Sequence, residues 1–101
     1  MKIYREKGAI YLVMNTENSI DRAYDSLSMG LKLARETMNY ENIVKCCNML
    51  AKILIDKNAI DAAEGMMNIA KECINKIDSP SIVNEYNEVM RKLEFEKYAF
   101  G

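Results

Sequence analysis

The sequence predicts an all-α fold, a stack of helical hairpins, from three observations. The chain of 101 residues contains one proline and four glycines, so it has few residues that interrupt helices. Half of its residues are apolar and 29% are charged, which is typical of a folded protein rather than a disordered one. An internal repeat is also present, and a fixed period in a helical sequence is typical of stacked hairpins.

The repeat has a period of 39 residues. Residues 43–54 (IVKCCNMLAKIL) align with residues 82–93 (IVNEYNEVMRKL), and residues 21–32 align with residues 60–71 in the same register. A single domain, residues 1–101, is therefore divided into repeat one (1–39), repeat two (40–78) and a capping helix (79–101).

Five helices follow from this division, because clusters of turn-forming residues separate the apolar segments. The predicted helices cover about residues 2–14, 20–37, 41–55, 59–77 and 79 onward. Asn18 or Ser19 is the expected cap of the second helix, and Asn58 that of the fourth. Ser79 is expected to cap the fifth helix, with Pro80 in its first turn, where a missing N–H costs nothing.

The spacing of small and bulky residues resembles that of tetratricopeptide repeats. On the first predicted helix of a repeat, an aromatic, a small and an aromatic residue stand at Tyr4, Gly8 and Tyr11. On the second helix the matching small, bulky and small residues are Ala23, Leu27 and Gly30, then Ala62 and Met66, with the larger Ile69 in the last place. The 39-residue repeat is longer than the usual 34. In this respect it is similar to the C-terminal repeats of Gram-positive peptide-sensing regulators.

The resemblance implies a right-handed stack whose first helices line a concave groove. Counted from the small residue of each first helix, the groove positions are Ala9 and Val13, Asn48 and Lys52, and Asn87 and Arg91, with Arg5 at the edge. Asparagine can pair with a peptide backbone, and the cations with an acidic group or a C-terminal carboxylate. The implied function is a non-enzymatic protein- or peptide-binding module, regulatory or adaptor-like. The alternative is that all of these are ordinary polar residues on a solvated surface.

A second functional hypothesis comes from the segment AIYLVM, residues 9–14, which is apolar on all sides of its predicted helix. A helix of that kind is normally buried on every side, and the end of a stack cannot provide this cover. Self-association as a homodimer through Ile10, Tyr11, Leu12 and Val13 is one expected solution. The chain would then be an oligomerisation element or a fragment of a larger regulator.

Cys46 and Cys47 stand side by side, but a shared metal site is not expected. Adjacent residues on a helix point about 100° apart, and a zinc site needs four ligands at other spacings, with histidine absent from the whole chain. Cys47 is equivalent to Gly8, so we expect it to be buried as a small packing residue, whereas Cys46 is expected to be partly exposed. No metal or cofactor is predicted.

Charge and composition argue against several classes of function. A formal net charge of −1 argues against nucleic-acid binding, and the longest apolar run is too short to span a bilayer. No histidine base and no glycine-rich phosphate loop is present, which argues against an enzyme. Three cysteines and no recognisable secretion signal predict a cytoplasmic protein whose partner is a protein or peptide.

For two groups of apolar residues the sequence leaves two alternative roles. The methionines are expected to lie mostly in the core, although a flexible binding surface is the alternative. Phe95, Tyr98 and Phe100 either contact a partner or close the end of the stack.

Overall fold

The structure, a computed structural model, describes residues 17–100, apart from the side chains of residues 17, 18 and 100. These residues form four α-helices and no strand, so the all-α prediction is confirmed for this part of the chain. The helices are α1 (Glu17–Glu36), α2 (Tyr40–Asp56), α3 (Ile60–Cys73) and α4 (Pro80–Phe100), and a 3-10 turn (Ile74–Lys76) follows α3. The predicted first helix, about residues 2–14, lies outside the described residues.

Most predicted boundaries are close to the observed ones. Helix α2 lies where the repeat places it, and α4 begins at Pro80 as predicted. Helix α1 includes Asn18 and Ser19, so neither is its cap. Helix α3 ends before the predicted residue 77, because Ile77 adopts an extended conformation with φ −123° and ψ 150° and turns the chain toward α4.

The turn between α1 and α2 is a Schellman motif. Met38 adopts a left-handed conformation with φ 55°. The Met38 N–H donates to the Arg35 carbonyl at 3.2 Å, and the Asn39 N–H donates to the Ala34 carbonyl at 2.8 Å. These two bonds satisfy carbonyls that the end of α1 would otherwise leave unpaired. Asn39 then caps α2, since its side-chain oxygen accepts the Asn42 N–H at 3.3 Å.

The turn between α2 and α3 repeats this geometry and corrects one prediction. Asn58 has φ 61°, its N–H donates to the Ile55 carbonyl at 3.0 Å, and the Ala59 N–H donates to the Leu54 carbonyl at 2.8 Å. Asn58 therefore terminates α2 and does not cap α3. Ala59 holds the cap position without a side-chain hydrogen bond. Asparagine suits the left-handed position because few other side chains tolerate it.

Helix α2 lies at the centre of the described structure. It contacts α1, α3 and α4, while α4 packs against both α2 and α3. The buried residues of α2 are Ile43, Val44, Cys46, Cys47, Asn48, Leu50, Ala51, Ile53, Leu54 and Ile55. A helix that is buried on most of its sides needs apolar residues around most of its circumference, and the sequence of α2 provides them.

The register of α3 differs by one residue from the predicted alignment. Ala63, Met67 and Ala70 are buried at 0%, 1% and 0% exposure, whereas the predicted packing residue Ala62 is exposed. On α1 the predicted residues Ala23 and Leu27 are both fully buried.

Helices α1 and α3, the second helices of repeats one and two, are consequently related by an offset of 40 residues and not 39. Ile20 and Asp21 then align with Ile60 and Asp61 as identical pairs. The second small residue of the α3 pattern, predicted at Ile69, is therefore Ala70. Its small side chain suits the close approach of neighbouring helices.

Candidate binding groove

An open pocket with a volume of about 630 Å³ lies along one side of α4. Its lining residues are Asn84, Asn87, Glu88, Met90, Arg91 and Glu94. The structure thus brings together two of the predicted groove residues, Asn87 and Arg91. Both are exposed, as are all the other lining residues except the half-buried Met90.

Helix periodicity explains this lining. The lining residues follow one another at intervals of one to three and recur at three- and four-residue spacing, so most of them share one side of the helix. The opposite side holds Ile82, Val89 and Leu93, which are buried in the core at 4%, 1% and 2% exposure. Sequence analysis missed the neighbours of Asn87 and Arg91, although counting three residues in each direction from them would have found Asn84, Glu88 and Glu94.

The pocket carries mixed charge. Glu88, Arg91 and Glu94 are three residues apart, which corresponds to about 4.5 Å of rise along the helix axis for each step. Within the described part of the chain, none of the three forms an ion pair. The three side chains together contribute a net charge of −1 to the pocket.

Lys52, another predicted groove residue, lies at the contact between α2 and α4. Its Nζ atom is 3.8 Å from a carboxylate oxygen of Glu85, and the two side chains are 42% and 37% exposed. An exposed pair of this kind adds little to stability. It nevertheless places a carboxylate beside one of the cations that the sequence predicted would bind an acidic group.

Asn48 is completely buried, so the prediction that it faces an open groove is wrong. Within the part of the chain that the structure describes, neither its amide nitrogen nor its amide oxygen has a hydrogen-bond partner. Val44 and Ala51, which lie on the same side of α2, are also 0% exposed. The repeat makes Asn48 equivalent to Asn87, but it could not reveal that this side of α2 is covered.

Equivalent positions on α2 and α4 differ in how far they are exposed to solvent. The equivalent pairs are Val44 and Val83, Asn48 and Asn87, Ala51 and Met90, and Ile55 and Glu94. All four residues on α2 are buried. On α4, Asn87 and Glu94 are exposed, Val83 and Met90 are half-buried, and all but Val83 line the pocket. The same side of the repeat is therefore covered on α2 and open on α4.

The remaining predicted residues lie outside the described part of the chain. Arg5, at the edge of the predicted groove, belongs to this group. The predicted self-association residues are also outside it, and they are Ile10, Tyr11, Leu12 and Val13. Both assignments stay predictions.

The cysteines are packing residues in the described structure. Cys47 is fully buried, as predicted, and burial raises the pKa of its thiol from 9.0 to about 12, with Cys46 and Cys73 adding to the effect. Cys46 is 1% exposed, so the expectation that it is partly exposed is wrong. The reason is that α2 is enclosed on this side, whereas the equivalent Glu85 of α4 is half-buried. No group of three or more potential metal ligands occurs among residues 17–100.

Phe95 and Tyr98, near the end of α4, do not close the core. Phe95 and Tyr98 are 70% and 88% exposed, and Tyr98 lines a smaller depression of about 250 Å³ together with Glu94 and Lys97. Lys97 forms an ion pair with Glu64 of α3, and this contact raises the pKa of the lysine. Within the described residues, the predicted closure by Phe95 and Tyr98 is therefore wrong, and contact with a partner remains the other prediction.

The methionines divide between core and surface. Met67 is buried, and Met49, Met66 and Met90 pack against the core while half-buried. Met29 and Met38 are 45% and 65% exposed, so the prediction of a core role holds for only part of the set.

Comparison with known proteins leaves the chain without an assigned family, since no family model, curated protein or solved structure matches it. The described helices also contain none that is both long enough and apolar enough to cross a membrane.

Proposed function

We propose that this chain is a non-enzymatic module that binds a protein or peptide segment along α4, within a tetratricopeptide-like stack. The observation that carries the proposal is the open pocket in which Asn87 and Arg91 lie together. Two amides, a guanidinium and two carboxylates there can all form hydrogen bonds with a polypeptide. Met90 adds an adaptable apolar contact.

The helix contacts support the stacked arrangement. Each described helix packs against the next one in the chain, and α2 also packs against α4, its equivalent one repeat later. On α1 the small, bulky and small residues Ala23, Leu27 and Gly30 are buried, and on α3 the buried set lies one residue later than the sequence placed it. Helix α4 would then be the first helix of a third unit, with its groove side open. A regulatory or adaptor role follows from binding without catalysis.

The proposal is tested by affinity capture from a cell lysate with the paired variant Asn87→Ala and Arg91→Ala. Both residues are exposed, so helical content measured by circular dichroism is expected to stay unchanged while captured protein is lost. The matched control is Asn68→Ala with Lys71→Ala, an exposed amide and cation on α3 that do not line the pocket. Capture that is equal for the wild type and both variants would contradict the groove.

A further inference from the structure

We infer that the segment bound in this pocket is a polypeptide carrying two basic side chains on either side of an acidic one. The inference rests on the proposed binding function and specifies the charge of its partner. It also reverses the sequence expectation, in which Lys52 and Arg91 would select an acidic group.

The first step is the balance of charge along the open side of α4. Glu88 and Glu94 lie three residues before and three residues after Arg91, and all three side chains are exposed and line the same pocket. The sign of the charge therefore alternates as negative, positive, negative along the helix. A ligand consisting only of acidic groups would face two carboxylates for each guanidinium, and like charges brought together oppose binding.

The second step concerns the cations that could have offset these carboxylates. Lys52 is 3.8 Å from Glu85, Lys92 is 3.3 Å from Asp56, and Lys97 contacts Glu64. Lys92 and Lys97 of α4, and Lys52 of α2, therefore each already have a carboxylate beside them. Within residues 17–100, Glu88 and Glu94 form no ion pair. Lys97 acts electrostatically on Glu94 but forms its ion pair with Glu64, so both glutamates can accept a basic group of a ligand.

The third step is the comparison with α2. Ile55 occupies the position equivalent to Glu94, and Met49 the position equivalent to Glu88. Ile55 is buried against the rest of the chain at 3% exposure. At these two positions α2 carries apolar residues and α4 carries glutamates, which suits a partner that binds α4 reversibly, because each exposed charge pair contributes only modestly.

The experiment is selection of a randomised displayed peptide library on three immobilised proteins. These are the wild type, the reversed variant Glu88→Lys, Arg91→Glu and Glu94→Lys, and a control variant Glu36→Lys, Lys71→Glu and Glu72→Lys. The control has the same charge change at exposed sites outside the pocket. Circular dichroism is recorded first to confirm that all three proteins are equally helical.

We expect the wild type and the control variant to enrich peptides with a basic, acidic, basic pattern, and the reversed variant to enrich the opposite pattern. Wild-type ligands should bind the reversed variant about tenfold or more weakly, the sum of three exposed charge pairs. Their affinity should also fall as ionic strength rises.

Two results would overturn the inference. Acidic peptides that bind the wild type and depend on Asn87 and Arg91 would leave the binding function standing and reject the charge pattern. Enriched peptides whose affinity is the same for the wild type, the reversed variant and the Asn87→Ala, Arg91→Ala variant would reject both the pattern and the groove.

Discussion

Asn48 and Asn87 are the same residue at equivalent positions of the repeat, yet their surroundings are opposite. Asn87 is exposed on the open pocket, while Asn48 has 0% exposure and the nitrogen and oxygen of its side-chain amide lack a hydrogen-bond partner among residues 17–100. A buried amide that forms no hydrogen bond loses its interactions with water and gains nothing in return. Asn48 is therefore a site of intrinsic instability in the centre of α2.

Replacing Asn48 with leucine is expected to stabilise the protein. Leucine has the same number of side-chain heavy atoms in a similar branched shape, and it removes an unpaired polar group that costs about 1–3 kcal/mol. The free energy of unfolding, measured by urea denaturation, should rise by that amount.

The matched control for this prediction is Asn87→Leu. Because Asn87 is exposed, its substitution should change the free energy of unfolding by no more than about 0.5 kcal/mol. A loss of stability in Asn48→Leu would mean that the Asn48 amide has a hydrogen-bonding role in the folded protein.

At the scale of the helices, two turns with the same geometry set the path of the chain. Met38 and Asn58 both have positive φ values and both end a helix through the same pair of backbone hydrogen bonds. The left-handed conformation is unfavourable for a residue with a Cβ atom, less so for asparagine, and without penalty for glycine. The first turn therefore contains more backbone strain than the second.

Met38→Gly should raise the free energy of unfolding by about 1 kcal/mol, because glycine removes most of the left-handed penalty. Met38 is 65% exposed, so little packing is lost. Asn58→Gly is the comparison, and its gain should be smaller since asparagine already tolerates this conformation. Thermal denaturation followed by circular dichroism measures the stability gain of each variant. An equal gain in the two variants would argue against strain at Met38.

At the scale of the whole molecule, the three cysteines lie in the one core that α2 and α3 share. Cys46, Cys47 and Cys73 belong to α2 and α3, and all three are buried and outside any disulfide. The Cys47 thiol, with a pKa raised to about 12, has almost no reactive thiolate near pH 8 in the folded state.

Alkylation of Cys47 should therefore require unfolding of the molecule. Iodoacetamide labelling at pH 8, followed by mass spectrometry of the peptides, is expected to be very slow without urea. It should accelerate across the same urea range in which circular dichroism reports unfolding. Rapid labelling of Cys47 at low urea would show that α2 opens locally, which would contradict its central and enclosed position.

Sequence patterns predicted most of the helical framework because they depend on local interactions. The position of α2 and the start of α4 at Pro80 follow from apolar periodicity and from the restricted geometry of proline. Asn58 was assigned to the wrong helix end, since asparagine suits both a cap and a left-handed turn, and only the backbone hydrogen bonds distinguish these roles.

The sequence by itself determined the helical class, the repeat and the side of α4 on which Asn87 and Arg91 lie, because these depend on spacing along a single helix. The tertiary structure alone decided which of two equivalent sides is open. It buried Asn48, placed Glu85 beside Lys52 and left Glu88 and Glu94 facing solvent around Arg91. The physical reason is that burial and charge pairing depend on which helices pack over a residue, and equivalent residues in a repeat do not have equivalent neighbours.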